Sequence, residues 1–92
     1  MIMWVGGVSR RRSRLEVVAD ILTEALNGAN KTRIMYRANL NFLRFDGYFS
    51  ELLDKGLIAE ENTSDGRVVY RTTDKGRRFR KVIRDAEAII SS

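Results

Sequence analysis

Leu15, Val18, Ala19, Leu22, Ala25 and Leu26 recur at spacings of three and four residues, and Glu16, Asp20 and Glu24 fall toward the other side. That period predicts an amphipathic helix over roughly residues 10–27, with Gly28 as its stop. ANKTRIMYRA reads as a short second helix, capped by Asn30 or Thr32 and burying Ile34, Met35 and Ala38. Asn39 ends it, being a residue that tolerates the left-handed conformation. NFLRFDGYFSELLDKG predicts a third helix over about 41–55, capped by Asn41, with Phe45, Tyr48, Phe49, Leu52 and Leu53 as its apolar face and Gly56 at its end. Gly47 is out of place, because a mid-helix glycine costs about 1 kcal/mol relative to alanine. It marks either a close approach to another surface or a tolerated defect.

After the third helix the period changes. LIAEEN and RVVYRT flank TSDG, and Asp-Gly between β-prone runs is a hairpin signal, with strands over roughly 57–62 and 67–72. Thr73 then caps a last helix in which Phe79, Val82, Ile83, Ala86, Ile89 and Ile90 repeat at helical spacing. The order helix, helix, helix, hairpin, helix predicts an α+β, mostly helical winged helix-turn-helix: three helices, a β-hairpin wing and a C-terminal helix. Residues 1–9 read as an N-terminal extension, 10–73 as the winged-helix domain and 74–92 as the C-terminal helix.

Composition narrows the function. A chain of 92 residues, 43% hydrophobic, supports one domain with a modest core. The absence of cysteine excludes disulfides and thiolate metal sites, and the absence of histidine removes the commonest general base and metal ligand. No pair of acids stands out for catalysis, so the reading is non-enzymatic, with no cofactor. The net charge of +5 and pI near 10.1 suit a phosphate-rich partner. MIMWVGGVS is apolar but too short to span a bilayer, and its arginines follow the apolar run, where a secretory signal would place them before it. The expected location is cytoplasmic and nucleoid-associated, without a membrane.

KTRIMYRANLNF, LLDKGLI and VYRTTDKG resemble the archaeal winged-helix proteins of the Sso-ten-a type and their relatives among predicted transcriptional regulators. The resemblance covers roughly residues 13–86. K-T-R-I-M-Y-x-A-N-L is specific to that group, whereas L-x-x-x-G-L-I and Y-x-x-T-x-K-G occur in many winged-helix domains. The resemblance implies a DNA-binding domain and a homodimer held by a long C-terminal helix pairing as an antiparallel coiled coil. This chain departs from it, since its last helix has room only from about Asp74 to Ser92.

Candidate DNA-binding residues follow from how a winged helix docks. Lys31, Thr32 and Arg33 open the second helix, where cations, a hydroxyl and free amides make a phosphate site, unless Thr32 is only a cap and Lys31 only solvated. Arg37 lies on the same helix. Asn41 and Arg44 occupy the first turn of the third helix, positioned for adenine and guanine, and Gly47 would let the backbone approach DNA. Glu51 and Asp54 repel phosphate, so only the N-terminal half of that helix is expected to dock. The aromatic residues are read as core, with Phe42 the exception and Tyr36 ambiguous. In the wing, Arg67 and Arg71 either reach DNA or pair across the hairpin with Glu60 and Glu61. Arg11 and Arg12 belong to the basic run from Arg10 to Arg14, either a phosphate-binding arm or a solvated helix start. Arg77, Arg78, Arg80, Lys81 and Arg84 flank the last apolar stripe, which suits a membrane surface less well than packing on the first helix near Phe79. Phe79, Val82, Ile83, Ala86, Ile89 and Ile90 form the expected dimer interface. The function is read as double-stranded DNA binding by a transcriptional regulator or chromatin-associated protein. The second reading is a protein-interaction module that uses Glu51, Asp54, Glu60 and Glu61.

Overall fold

The computed structural model describes residues 12–91. Helix α1 spans Arg14–Glu24, α2 Lys31–Arg37 and α3 Phe42–Asp54; strands β1 (Ile58–Asn62) and β2 (Val68–Thr72) form the hairpin, and α4 spans Asp74–Ser91. Ser13 starts α1 with a reciprocal cap: its hydroxyl accepts the Glu16 amide at 3.1 Å, and the Glu16 carboxylate accepts the Ser13 amide at 2.7 Å. The helix therefore begins at Arg14, not at residue 10 as its apolar pattern suggested.

Each of the next junctions has a local cause. Asn30, not Thr32, caps α2 by accepting the Arg33 amide at 2.8 Å, and Asn41 caps α3 by accepting the Arg44 amide at 2.9 Å. Asn39 takes φ +59° between them, as its short polar side chain allows. Gly56 ends α3 at φ +72°.

The buried stripe of α1 differs from the expected one. Val17 and Ile21 are fully buried beside Leu22 and Ala25, while Leu15 is 52% exposed. The helix lies between two neighbours, α2 on one side and α4 on another, so its apolar residues divide between two faces. Val17, Ile21, Ile34, Phe45, Phe49 and Ile58 anchor the core, with Met35, Tyr48 and Leu53 only partly covered at its edge. The Phe45 and Phe49 rings stack with centroids 4.9 Å apart, and Tyr70 of β2 meets Phe49 edge-on at 4.9 Å, which ties the wing to the helices.

The hairpin is antiparallel, with Ile58 opposite Thr72 and Asn62 opposite Val68. Ala29 extends it by exchanging backbone hydrogen bonds of 3.0 and 2.8 Å with Tyr70. Buried Thr72 donates its hydroxyl to the Leu22 carbonyl at 2.7 Å, joining wing and α1. Thr73 caps α4 as expected, its hydroxyl oxygen accepting the Gly76 amide at 3.0 Å. The α4 backbone presses on the link between α3 and β1 at Gly76, where an added Cβ would lie 2.2 Å from the Leu57 carbonyl oxygen.

Along α4 the buried large side chain is Ile83, 3% exposed, whereas Phe79 is 36% exposed. Ile83, expected at a dimer interface, is instead taken up by the chain's own core. Among the described residues, no helix is long and apolar enough to cross a membrane.

Candidate nucleic-acid interface

The helix-turn-helix is α2, the Ala38–Asn41 turn and α3. Thr32, Arg33 and Arg37 on α2 and Arg44 on α3 are exposed, and among the described residues the three arginines make no ion pair. Lys31 is half-committed. Its ammonium lies 3.4 Å from Asp46 and 5.5 Å from the centroid of the Phe49 ring.

Two of the acids on α3 are countered internally. Glu51 is held between Arg14 at 3.5 Å and Lys55 at 3.2 Å, and Asp46 by Lys31. Arg14 also stands over the Tyr48 ring, 5.9 Å from its centroid. The negative field of α3 is therefore weaker than its sequence implies, and Asp54, at the C-terminal end, is the acid left without an ion pair among the described residues.

The wing tip is a tight turn. The Thr63 amide donates to the Arg67 carbonyl at 2.8 Å, and the Thr63 hydroxyl donates to Asp65 while accepting the Arg67 amide at 3.0 Å. The Arg67 guanidinium, 80% exposed, reaches back to Asp65 at 3.1 Å, not across to Glu60 or Glu61. The Thr63 hydroxyl, with the Arg67 amide and guanidinium, holds the Asp65 carboxyl below its ordinary value of 3.8.

Arg12 and Arg71 are engaged within the fold, Arg71 in the pairing across the hairpin that was the alternative to DNA contact. Arg12 donates to the Ala38 carbonyl at 2.8 Å, the Asn39 carbonyl at 3.1 Å and Asp20 at 2.7 Å. It thus covers carbonyls that the end of α2 leaves open. Arg71 pairs with Glu61 at 3.0 Å and lies against Gly28, where a Cβ would sit 3.0 Å from its guanidinium. Asp20 also receives Arg84 of α4 at 3.0 Å, and Arg84 donates to Glu87 at 3.0 Å. Burial works against the Arg84 charge, but the bonds to Asp20 and Glu87 outweigh it and hold its pKa above the ordinary range. Arg11 lies outside the described residues, as does the 1–9 extension.

Asn41 is exposed, its side-chain oxygen engaged in capping α3, while Gly47 is open, with nothing within 4 Å of the place a Cβ would take. Leu43, 81% exposed, escaped the sequence reading. The signal was present: buried Phe45, Phe49 and Leu52 leave Leu43, Gly47, Ser50 and Asp54 along the opposite line of α3. Phe42, 63% exposed, is the exception expected among the aromatics, and Tyr36 is exposed as well.

Three helices, a hairpin wing and a fourth helix in this arrangement define a winged helix-turn-helix protein. The chain belongs to the winged helix-turn-helix family, which it matches over residues 11–91. It is 38% identical over 66 residues to the uncharacterized protein MJ0287 of Methanocaldococcus jannaschii, covering 65% of this chain and 68% of that one. Among solved structures it is similar to Sso10a-2, a DNA-binding protein from Sulfolobus solfataricus, with a TM-score of 0.76, 28% identity, and coverage of 87% of this chain and 83% of that one. The PcaV transcriptional regulator from Streptomyces coelicolor shares the fold at a TM-score of 0.69 and 22% identity, covering 90% of this chain and 60% of that one.

Proposed function

We propose that this protein binds double-stranded DNA without catalysis, as a transcriptional regulator or chromatin-associated protein of the cytoplasm. The observation that carries the reading is the set of exposed arginines on the helix-turn-helix, Arg33, Arg37 and Arg44, which make no ion pair among the described residues and stand beside Asp46 and Glu51, already countered within the chain. The likeness to a DNA-binding protein supports it. Lys31, Thr32, Arg33 and Arg37 hold the phosphate backbone, the start of α3 at Arg44 enters the major groove with Gly47 allowing close approach, and Arg67 supports from the wing.

The protein acts as a homodimer joined along α4. Phe79, Val82, Ala86 and Ile89 follow a three-four-three spacing, the period of a coiled-coil seam, and all four are exposed, as is Ile90. From Phe79 to Ile89 the seam is about 15 Å long, within the 18 residues of α4. A two-fold dimer presents two reading heads at a fixed spacing.

Titration of a random-sequence duplex at several salt concentrations tests the reading. Lys31, Arg33, Arg37 and Arg67 neutralising phosphates would give a log–log salt slope of roughly −3 to −4. Arg33→Ala should weaken binding to all sequences alike, while Arg44→Ala should change the preference among them. Absence of binding at low salt would refute DNA binding and direct attention to a protein partner.

A further inference from the structure

The exposed line of α3 does not look like a phosphate-binding surface. It begins with Leu43, 81% exposed, followed one turn later by Gly47, which offers bare backbone. Phe42, also exposed, stands beside Leu43 and Arg44 follows it. A leucine left in water at this position forgoes burial that the core gives its neighbours Leu40 and Leu52. Packing among the described residues does not account for it. Leu43 shares a shallow depression with Arg44, Gly47, Tyr48, Arg14 and Glu51, so an apolar side chain and a cation open onto one surface.

The inference rests on the DNA-binding reading and specifies what that surface reads. In the major groove the one apolar group on a base edge is the thymine C5-methyl, and aliphatic side chains recognise it by contact. We propose that Leu43 is a specificity-determining residue that covers a thymine methyl. Gly47 lets the helix sit deep enough for the contact, and Arg44 selects a neighbouring guanine. The occupant fits the charge around the patch: Arg33, Arg37 and Arg44, without ion pairs among the described residues, favour a polyanion, and Lys55 and Arg14 counter the charge of Glu51 at its edge. A duplex rich in thymine next to guanine is the expected target.

The test replaces every thymine of a binding duplex with deoxyuridine, which removes the methyl and leaves the Watson–Crick edge. The wild-type protein should bind the methyl-free duplex about fourfold more weakly for each methyl covered. Leu43→Ala should bind both duplexes alike, and Leu43→Met should restore the difference. Leu43 is too exposed for these changes to threaten the fold, which circular dichroism checks. Equal wild-type affinity for the two duplexes overturns the inference while leaving DNA binding intact. A methyl effect that persists in Leu43→Ala also overturns it, since the effect would then come from duplex shape. No binding to either duplex overturns this inference and the DNA-binding reading together.

Discussion

One methyl group added at Gly76 should unseat the last helix. The Cβ of an alanine there would lie 2.2 Å from the Leu57 carbonyl oxygen, 2.7 Å from the Thr72 methyl and 3.1 Å from the Leu57 carbonyl carbon. Comfortable non-bonded separations are roughly 3.5 Å or more, so the two backbones must part by about 1 Å. Overpacking of this kind typically costs about 1–3 kcal/mol, and here the obstacle is main chain with no rotamer to change. The same junction carries the Thr73 amide bond to the Leu57 carbonyl at 3.1 Å and the Thr73 hydroxyl bond to the Gly56 carbonyl at 2.7 Å. Separation loosens both, at about 1 kcal/mol each. Against this, alanine improves helix propensity by about 1 kcal/mol. The net loss is about 3 kcal/mol, a fall in Tm on the order of 12–24 °C for a domain of this size. Gly47→Ala is the matched control, since it makes the same change in a helix with nothing within 4 Å of the new methyl. It should raise stability by about 0.5–1 kcal/mol. Thermal melts followed by far-ultraviolet circular dichroism decide the matter. A Gly76→Ala protein that melts at or above wild type would refute the close approach at Leu57.

Gly47→Ala should also weaken DNA binding while it stabilises the fold, and unchanged affinity in a duplex titration would mean that the glycine is only a tolerated defect. Asp20→Ala removes the carboxylate shared by Arg12 and Arg84, whose side chains are only 31% and 36% exposed, and should cost about 1–2 kcal/mol in urea unfolding; a midpoint equal to wild type would show that the hub contributes nothing. Val82→Asp places a charge on the exposed seam of α4 and should leave a folded monomer by light scattering, whereas a persistent dimer would move the interface elsewhere. The lowered Asp65 pKa means that the wing-tip bonds are present above the ordinary value of 3.8 and are lost as pH falls through the lower folded-state value. A carboxyl NMR titration should show Asp65 returning toward 3.8 in Thr63→Val.

Much of this architecture was legible along the chain because its causes are local. The caps at Asn30, Asn41 and Thr73 act across three residues, and Asn39 and Gly56 mark turns through their own backbone angles. Element order and wing followed from those signals and from the change of period at Leu57. The arginines of the helix-turn-helix were also visible, since Arg33 and Arg37 have no acid within four residues and Asp46, two residues from Arg44, lies off its face of the helix.

Other features needed the tertiary structure. Periodicity shows which residues share a helix face, but α1 has two neighbours, and only packing reveals that Val17 and Ile21 go inside while Leu15 stays out. Similarly, composition counts a cation without saying where its partner is. Arg12 looked available for phosphate until the fold brought Asp20 and the Ala38 and Asn39 carbonyls to it, and Asp20 meets Arg84 across 64 positions of sequence. Glu51 looked repulsive until Arg14 came alongside it. Local hydrogen bonds and hydrophobic period are properties of a few consecutive residues and survive reading in one dimension. Charge pairing and the division of apolar faces depend on which distant segments the chain topology brings into contact, and those belong to the folded molecule.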